Sequence, residues 1–237
     1  MGKSEKPSHE EILGKLKDGN LRFVAGTSTR PHANMARLVQ AGKKDQGKHA
    51  YATVITCSDS RVPVELIFDA GIMDIVVIRV AGNVCRTDEV GSIEYGLCHV
   101  HTPVLVILGH TQCGAVTIVV QAIQGKVSVL ERNIPPLVAP IIPAVERAIE
   151  KHTKVDDDEI ILSAIEENVW QSIEDLLTKS PVTRQLVNNG NVKVVGAVYN
   201  VGNGEINWLE NSKVNEIMER VETIPDIEMN IYSSLNI

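Results

Sequence analysis

Four short runs of aliphatic, largely β-branched residues constrain this chain more than any other feature: 50–57, 74–80, 104–108 and 192–199. Each has the length of a strand and little polar interruption, the pattern of strands buried on both faces. Between them the apolar residues move to helical spacing. Val90, Ile93, Leu97 and Val100 mark a helix between the second and third runs, and 113–123 reads as another. A longer one starts at the acidic stretch 156–159, which suits a helix N-terminus, and buries Ile161, Ile165, Val169, Ile173 and Leu176. Strands alternating with helices predict an α/β fold: an open, mainly parallel β-sheet flanked by helices and joined by right-handed crossovers.

The ends of the chain add to this core. Ser8 and Glu11 have capping-box spacing, and Ile12, Leu13, Leu16, Phe23 and Val24 fit one side of the helix that follows, an N-terminal helical arm. A second short helix covers 34–41, with Gly42 as its stop. Pro135, Pro136, Pro140 and Pro143 read as a connection, and Gly202-Asn203-Gly204 as the turn into a short strand at 205–209. The expected organisation is a helical arm over 1–45, an α/β core over 46–210 that carries the functional site, and a polar tail over 211–237.

Charge and composition narrow the function. A formal net charge of -7 supplies no concentrated basic surface for nucleic acid or an anionic membrane, so neither is expected as a partner. No apolar run approaches the ~20 residues of a spanning helix. The N-terminal stretch is polar and lacks the apolar core of a secretory signal, so a cytoplasmic location is expected. In that reducing compartment the four cysteines stay thiols, available for metal ligation, catalysis or burial.

Ligands of open α/β sheets sit beyond the carboxyl ends of the strands. Two polar clusters fall there: Cys57-Ser58-Asp59-Ser60-Arg61 after the first strand and Gly109-His110-Thr111-Gln112-Cys113-Gly114 after the third. If these strands are neighbours, Cys57, Asp59, His110 and Cys113 converge. Two thiolates, an imidazole and a carboxylate suit tetrahedral zinc and argue against magnesium or calcium. Four permanent ligands would close the metal, whereas three leave a position for water. Asp59 decides between these, because Arg61 offers its carboxylate a bidentate alternative.

The CSDSR and GHTQCGA segments resemble the β-carbonic anhydrases, whose pattern is Cys-x-Asp-x-Arg followed by His-x-x-Cys. The similarity extends through Gly19-Asn20-Leu21-Arg22-Phe23, Arg79-Val80-Ala81-Gly82-Asn83, Asn133-Ile134-Pro135-Pro136, Glu167-Asn168-Val169 and Gly196-Ala197-Val198-Tyr199. The resemblance implies one zinc per chain on Cys57, His110 and Cys113, with Asp59 either completing the shell or pairing with Arg61 as a catalytic dyad. It implies a zinc lyase, carbonate dehydratase, that hydrates CO2 reversibly to bicarbonate and a proton by zinc-bound hydroxide. No organic cofactor is implied, and the assembly implied is a homodimer or a multiple of it, such as a homotetramer. Two positions depart from the family. Ala70 stands where members carry a substrate-orienting Gln, and Val54 where members with a non-catalytic bicarbonate site carry Trp beside the counterparts of Arg79 and Tyr199.

Other readings stay open at this point. The same scaffold can serve as a zinc hydrolase of CS2 or COS, and a site permanently closed by Asp59 would make a non-catalytic bicarbonate-binding regulator. Cys85 and Cys98 read as packed thiols. His99 and His101 flank a helix end and are weighed as proton shuttles, while His9, His32, His49 and His152 read as surface residues. Arg79 is expected to meet either an anion or a carboxylate at a subunit contact.

Overall fold

The computed structural model describes residues 6–127, 129–152 and 156–222. The tail expected over 211–237 therefore lies outside the described residues from 223 onward. In chain order the elements are α1 (His9–Val24), α2 (Met35–Ala41), β1 (Ala52–Thr56), α3 (Val64–Ile67), β2 (Ile75–Arg79), α4 (Thr87–Glu94), β3 (Val104–His110), α5 (Gly114–Ile123), α6 (Ile134–Val138), α7 (Ile142–Lys151), α8 (Asp157–Lys179), α9 (Pro181–Asn188), β4 (Lys193–Tyr199), β5 (Ile206–Trp208) and α10 (Ser212–Val221).

The strands form one sheet in the order β2-β1-β3-β4-β5, parallel except for the antiparallel β4–β5 pair. β3 is buried along its whole length. Its residues alternate between faces, as a strand dictates: Leu105 and Ile107 join a core built with α5, α7, α8 and α10, while Val104, Val106 and Leu108 join a second core with α1 and α3. The chain leaves β1 toward β2 and leaves β3 toward β4, so the sheet changes direction between β1 and β3. That point is where an open α/β sheet presents a ligand crevice.

Local chemistry accounts for the helix ends. Ser8 and Glu11 cap α1 reciprocally, the Ser8 amide donating to Glu11 Oε2 at 2.7 Å and the Glu11 amide to Ser8 Oγ at 3.3 Å. Asp156 accepts from the Glu159 amide at 3.0 Å and starts α8. The segment from Ile134 differs from the connection expected of its prolines, being helical as α6, a 3-10 turn and α7, with prolines in the first turn of each. At a helix start proline costs nothing, since the amide it lacks has no intrahelical acceptor there. α9 starts in the same manner, with Pro181 following the Ser180 cap. The helix after Thr87 ends in a π turn over Tyr95–His99, whose wider spacing carries its periodicity to Val100.

α1 lies on its own chain, with Ile12, Leu13 and Leu16 buried against the second core. α10 buries Val214, Ile217, Met218 and Val221 in the first.

Candidate metal centre

Because β1 and β3 are hydrogen-bonded neighbours, the residues that follow them meet. Cys57 comes directly after β1, His110 is the last residue of β3, and Cys113 is the residue before α5. All three are buried, and one potential ligand atom from each lies within 4.8 Å of the others. His99 and His101 lie before the start of β3, at the opposite end of the strand from His110, which separates them from this chain's centre by the length of the sheet.

The donor set fits a soft, tetrahedral cation. Thr111 accepts from His110 Nδ1 at 2.9 Å, which assigns the proton to that nitrogen and leaves a lone pair on Nε2. Nε2 is buried and has no hydrogen-bond partner, an orphan that a metal would satisfy. Thr111 is itself fixed, its amide donating to Tyr199 O at 2.9 Å and its hydroxyl accepting from Val201 N at 3.1 Å. The two sulfurs are 3.9 Å apart. Donation from Cys113 lowers the Cys57 thiol well below its ordinary range against the opposing effect of burial, with His110 and the Gly82 amide assisting. The proximity of Cys57 and burial raise Cys113. Two thiolates at this separation conflict unless a cation lies between them.

Gly82 donates its amide to Cys57 Sγ at 3.3 Å, and Asn168 Nδ2 donates to the Gly82 carbonyl at 2.8 Å. The role of Gly82 depends on the absence of a side chain. Its φ is +76°, and a Cβ there would stand 2.6 Å from Ile141.

Asp59 faces Arg61. Arg61 Nε donates to Asp59 Oδ1 at 3.0 Å and Nη2 to Oδ2 at 2.8 Å, while the Arg61 amide also reaches Oδ1 at 2.9 Å. Arg61 thereby holds the Asp59 carboxyl far below the usual carboxylate range, outweighing its partial desolvation. Oδ2 remains 4.0 Å from His110 Nε2. Arg61 reaches onward to Gln112, Nη1 donating to Oε1 and Nη2 to the backbone carbonyl, each at 3.1 Å.

Arg79 is engaged by backbone within this chain. It donates to the carbonyls of Cys57 at 3.3 Å and Asp59 at 2.5 Å and so clamps the loop that carries both. Cys85 is fully buried, and burial pushes its thiol up, as expected of a packed cysteine. His49 differs from its surface reading: it is half-buried against Arg37, with Nε2 enclosed and unpaired.

A family model described as carbonic anhydrase matches residues 52–206. The carbonic anhydrase of Mycolicibacterium smegmatis is 34% identical over 193 residues, covering 81% of this chain and 88% of that protein. Carbonic anhydrase 2 of Mycobacterium tuberculosis is 32% identical over 191 residues, covering 80% and 87%. Among solved structures, a β-carbonic anhydrase of Aspergillus fumigatus superposes with a TM-score of 0.65 at 23% identity, over 90% of this chain and 97% of that one. One described with tetrameric β-carbonic anhydrases of Sordaria macrospora gives 0.64 at 20% identity, over 85% and 98%.

Proposed function

This chain belongs to the carbonic anhydrase family, with the fold of its β class, and from that premise we propose that Cys57, His110 and Cys113 hold its zinc while Asp59 and Arg61 form the dyad that controls access to it. The protein is a zinc-dependent carbonate dehydratase that interconverts CO2 and bicarbonate. The observation that carries the site assignment is the orphaned Nε2 of buried His110 beside two sulfurs.

Bound zinc supplies Lewis-acid activation of water as the nucleophile for the carbon of CO2. The chain's own residues prepare for this. Thr111 holds the His110 tautomer, and the Gly82 amide offsets charge on Cys57. Arg79 fixes the loop between the first two candidate groups, Cys57 and Asp59. Arg61 keeps Asp59 ionised and turned aside, so that a metal held by Cys57, His110 and Cys113 would not be closed by this carboxylate, and Oδ2 would stay available as a hydrogen-bond acceptor beside the site. When Asp59 leaves Arg61, the same carboxylate can close the site. The pairing seen here supports catalysis over a permanently closed regulator.

We further propose a homo-oligomer, a dimer or a multiple of it. Among the described residues β2 pairs only with β1, which leaves an open sheet edge. Val76, Val77, Ile78 and the exposed Tyr95 line a groove of about 670 Å³ beside that edge. A second copy is the occupant that fits, since an apolar edge left bare invites uncontrolled pairing. No helix among the described residues is long and apolar enough to cross a membrane. A cytoplasmic site of action accords with four free cysteines and is testable by fractionation.

Stopped-flow CO2 hydration on zinc-quantified protein, with CS2 and COS as parallel substrates, tests the activity. Hydration of CO2 in proportion to zinc content is expected. Turnover of CS2 or COS without CO2 hydration would reverse the substrate assignment.

A further inference from the structure

Gln112 lies between two of the candidate ligands, yet nothing in its chemistry requires it to bind metal. Its backbone has a φ of +57°, in the left-handed region that disfavours every residue with a side chain. This conformation accompanies a double contact with Arg61, in which the Gln112 carbonyl and Oε1 each accept from the guanidinium at 3.1 Å. Nη1 is given to Gln112, Nε to Asp59, and Nη2 is shared by both.

The Arg61 side chain is 45% exposed. An arginine so open to water forms a weak pair with a carboxylate, because the guanidinium loses rotamer freedom and is screened. Fixing the fork beforehand removes much of that cost. We propose that Gln112 is a positioning residue which holds Arg61 in the orientation that keeps Asp59 away from the metal. The choice of Asp59 between Arg61 and the metal is then set partly by a residue that acts through Arg61. This inference rests on the reading of Cys57, His110 and Cys113 as the metal ligands.

Gln112→Met keeps side-chain length and the same backbone demand while removing the acceptor. The variants to compare are wild type, Gln112→Met, Asp59→Asn and the double variant, loaded with cobalt(II), assayed for metal content and titrated with azide while the visible spectrum is followed. Only the fraction with Asp59 turned aside offers azide a position, so apparent affinity reports that fraction. Gln112→Met should retain full metal and weaken azide binding by roughly three- to tenfold, the scale of one ordinary solvent-accessible hydrogen bond. In the Asp59→Asn background the same substitution should change nothing, a coupling that a general loosening of the loop would not produce. Metal-replete Gln112→Met with wild-type azide affinity would overturn the proposal, as would loss of metal or equal weakening in both backgrounds. Failure of the wild type itself to bind cobalt or zinc would instead overturn the ligand assignment.

Discussion

At the scale of single residues, the site is organised by what surrounds each candidate ligand as much as by the candidate ligands themselves. The Thr111 carbonyl decides which His110 nitrogen is free, and Arg61 decides where Asp59 points. Cys57→Ala, His110→Ala and Cys113→Ala should each lose most of the zinc, because two remaining donors cannot hold it against water. Arg61→Ala should keep the zinc and lose most CO2 hydration, since Asp59 then has no partner other than the metal. Elemental analysis beside the hydration assay separates these outcomes. Full zinc in all three ligand variants, or undiminished activity in zinc-replete Arg61→Ala, would contradict the assignment. Cys57, Asp59, Arg61, His110 and Cys113 were legible as reactive types at strand ends. The contacts of Arg79, Gly82 and Gln112 were not, because their partners are distant groups brought close only by folding.

At the scale of elements, α1 shows how one residue type serves opposite ends. A Cβ on Gly14 would meet nothing within 4 Å, whereas one on Gly19 would stand 2.0 Å from the Phe68 carbonyl oxygen. Gly14→Ala should therefore raise stability by about 1 kcal/mol through helix propensity. Gly19→Ala should lower it by ~1–3 kcal/mol, as α1 is pushed off the segment that follows α3. Urea denaturation of the two variants checks this, and changes of the same sign would show that α1 does not dock here. The strands and capped helices were readable from period and cap chemistry. α6, α7 and α9 were obscured because proline marks both a loop and a helix's first turn, and only the onward hydrogen bonds distinguish them.

For the whole molecule, buried carboxylates link stability to pH. Burial would raise the Asp69 carboxyl, but Arg22 and the Thr29 and Arg30 amides hold it at about 2. Glu167 is likewise held at about 2, where Lys151 and Arg147 overcome burial. In the unfolded chain both lie near ~4. The unfolded state thus binds more protons between these values, so this stabilisation is complete above about pH 4 and is lost as pH falls toward about 2. Melting temperature should drop across that window and drop less steeply in Asp69→Asn, which starts lower; parallel curves would exclude Asp69 as a contributor. Assembly is checked at the same scale. Light scattering should find an even-numbered oligomer, and Tyr95→Glu should shift it toward monomer by placing a charge in the groove beside β2. A monomeric wild type at micromolar concentration would exclude this interface.

The sequence by itself determined the alternation of buried strands with helices and the placing of two sulfurs, an imidazole and a carboxylate–guanidinium pair at strand ends. Those features follow from side-chain period and donor chemistry, which are local. Only the tertiary structure decided that β1 and β3 are adjacent, that α1 packs on its own chain, that Arg79 clamps the loop carrying Cys57 and Asp59, and that Asp59 turns to Arg61. Each of these depends on which distant backbone groups remain to be satisfied once the sheet has formed, and hydrogen-bond donors and acceptors far apart in the chain leave no period in its sequence.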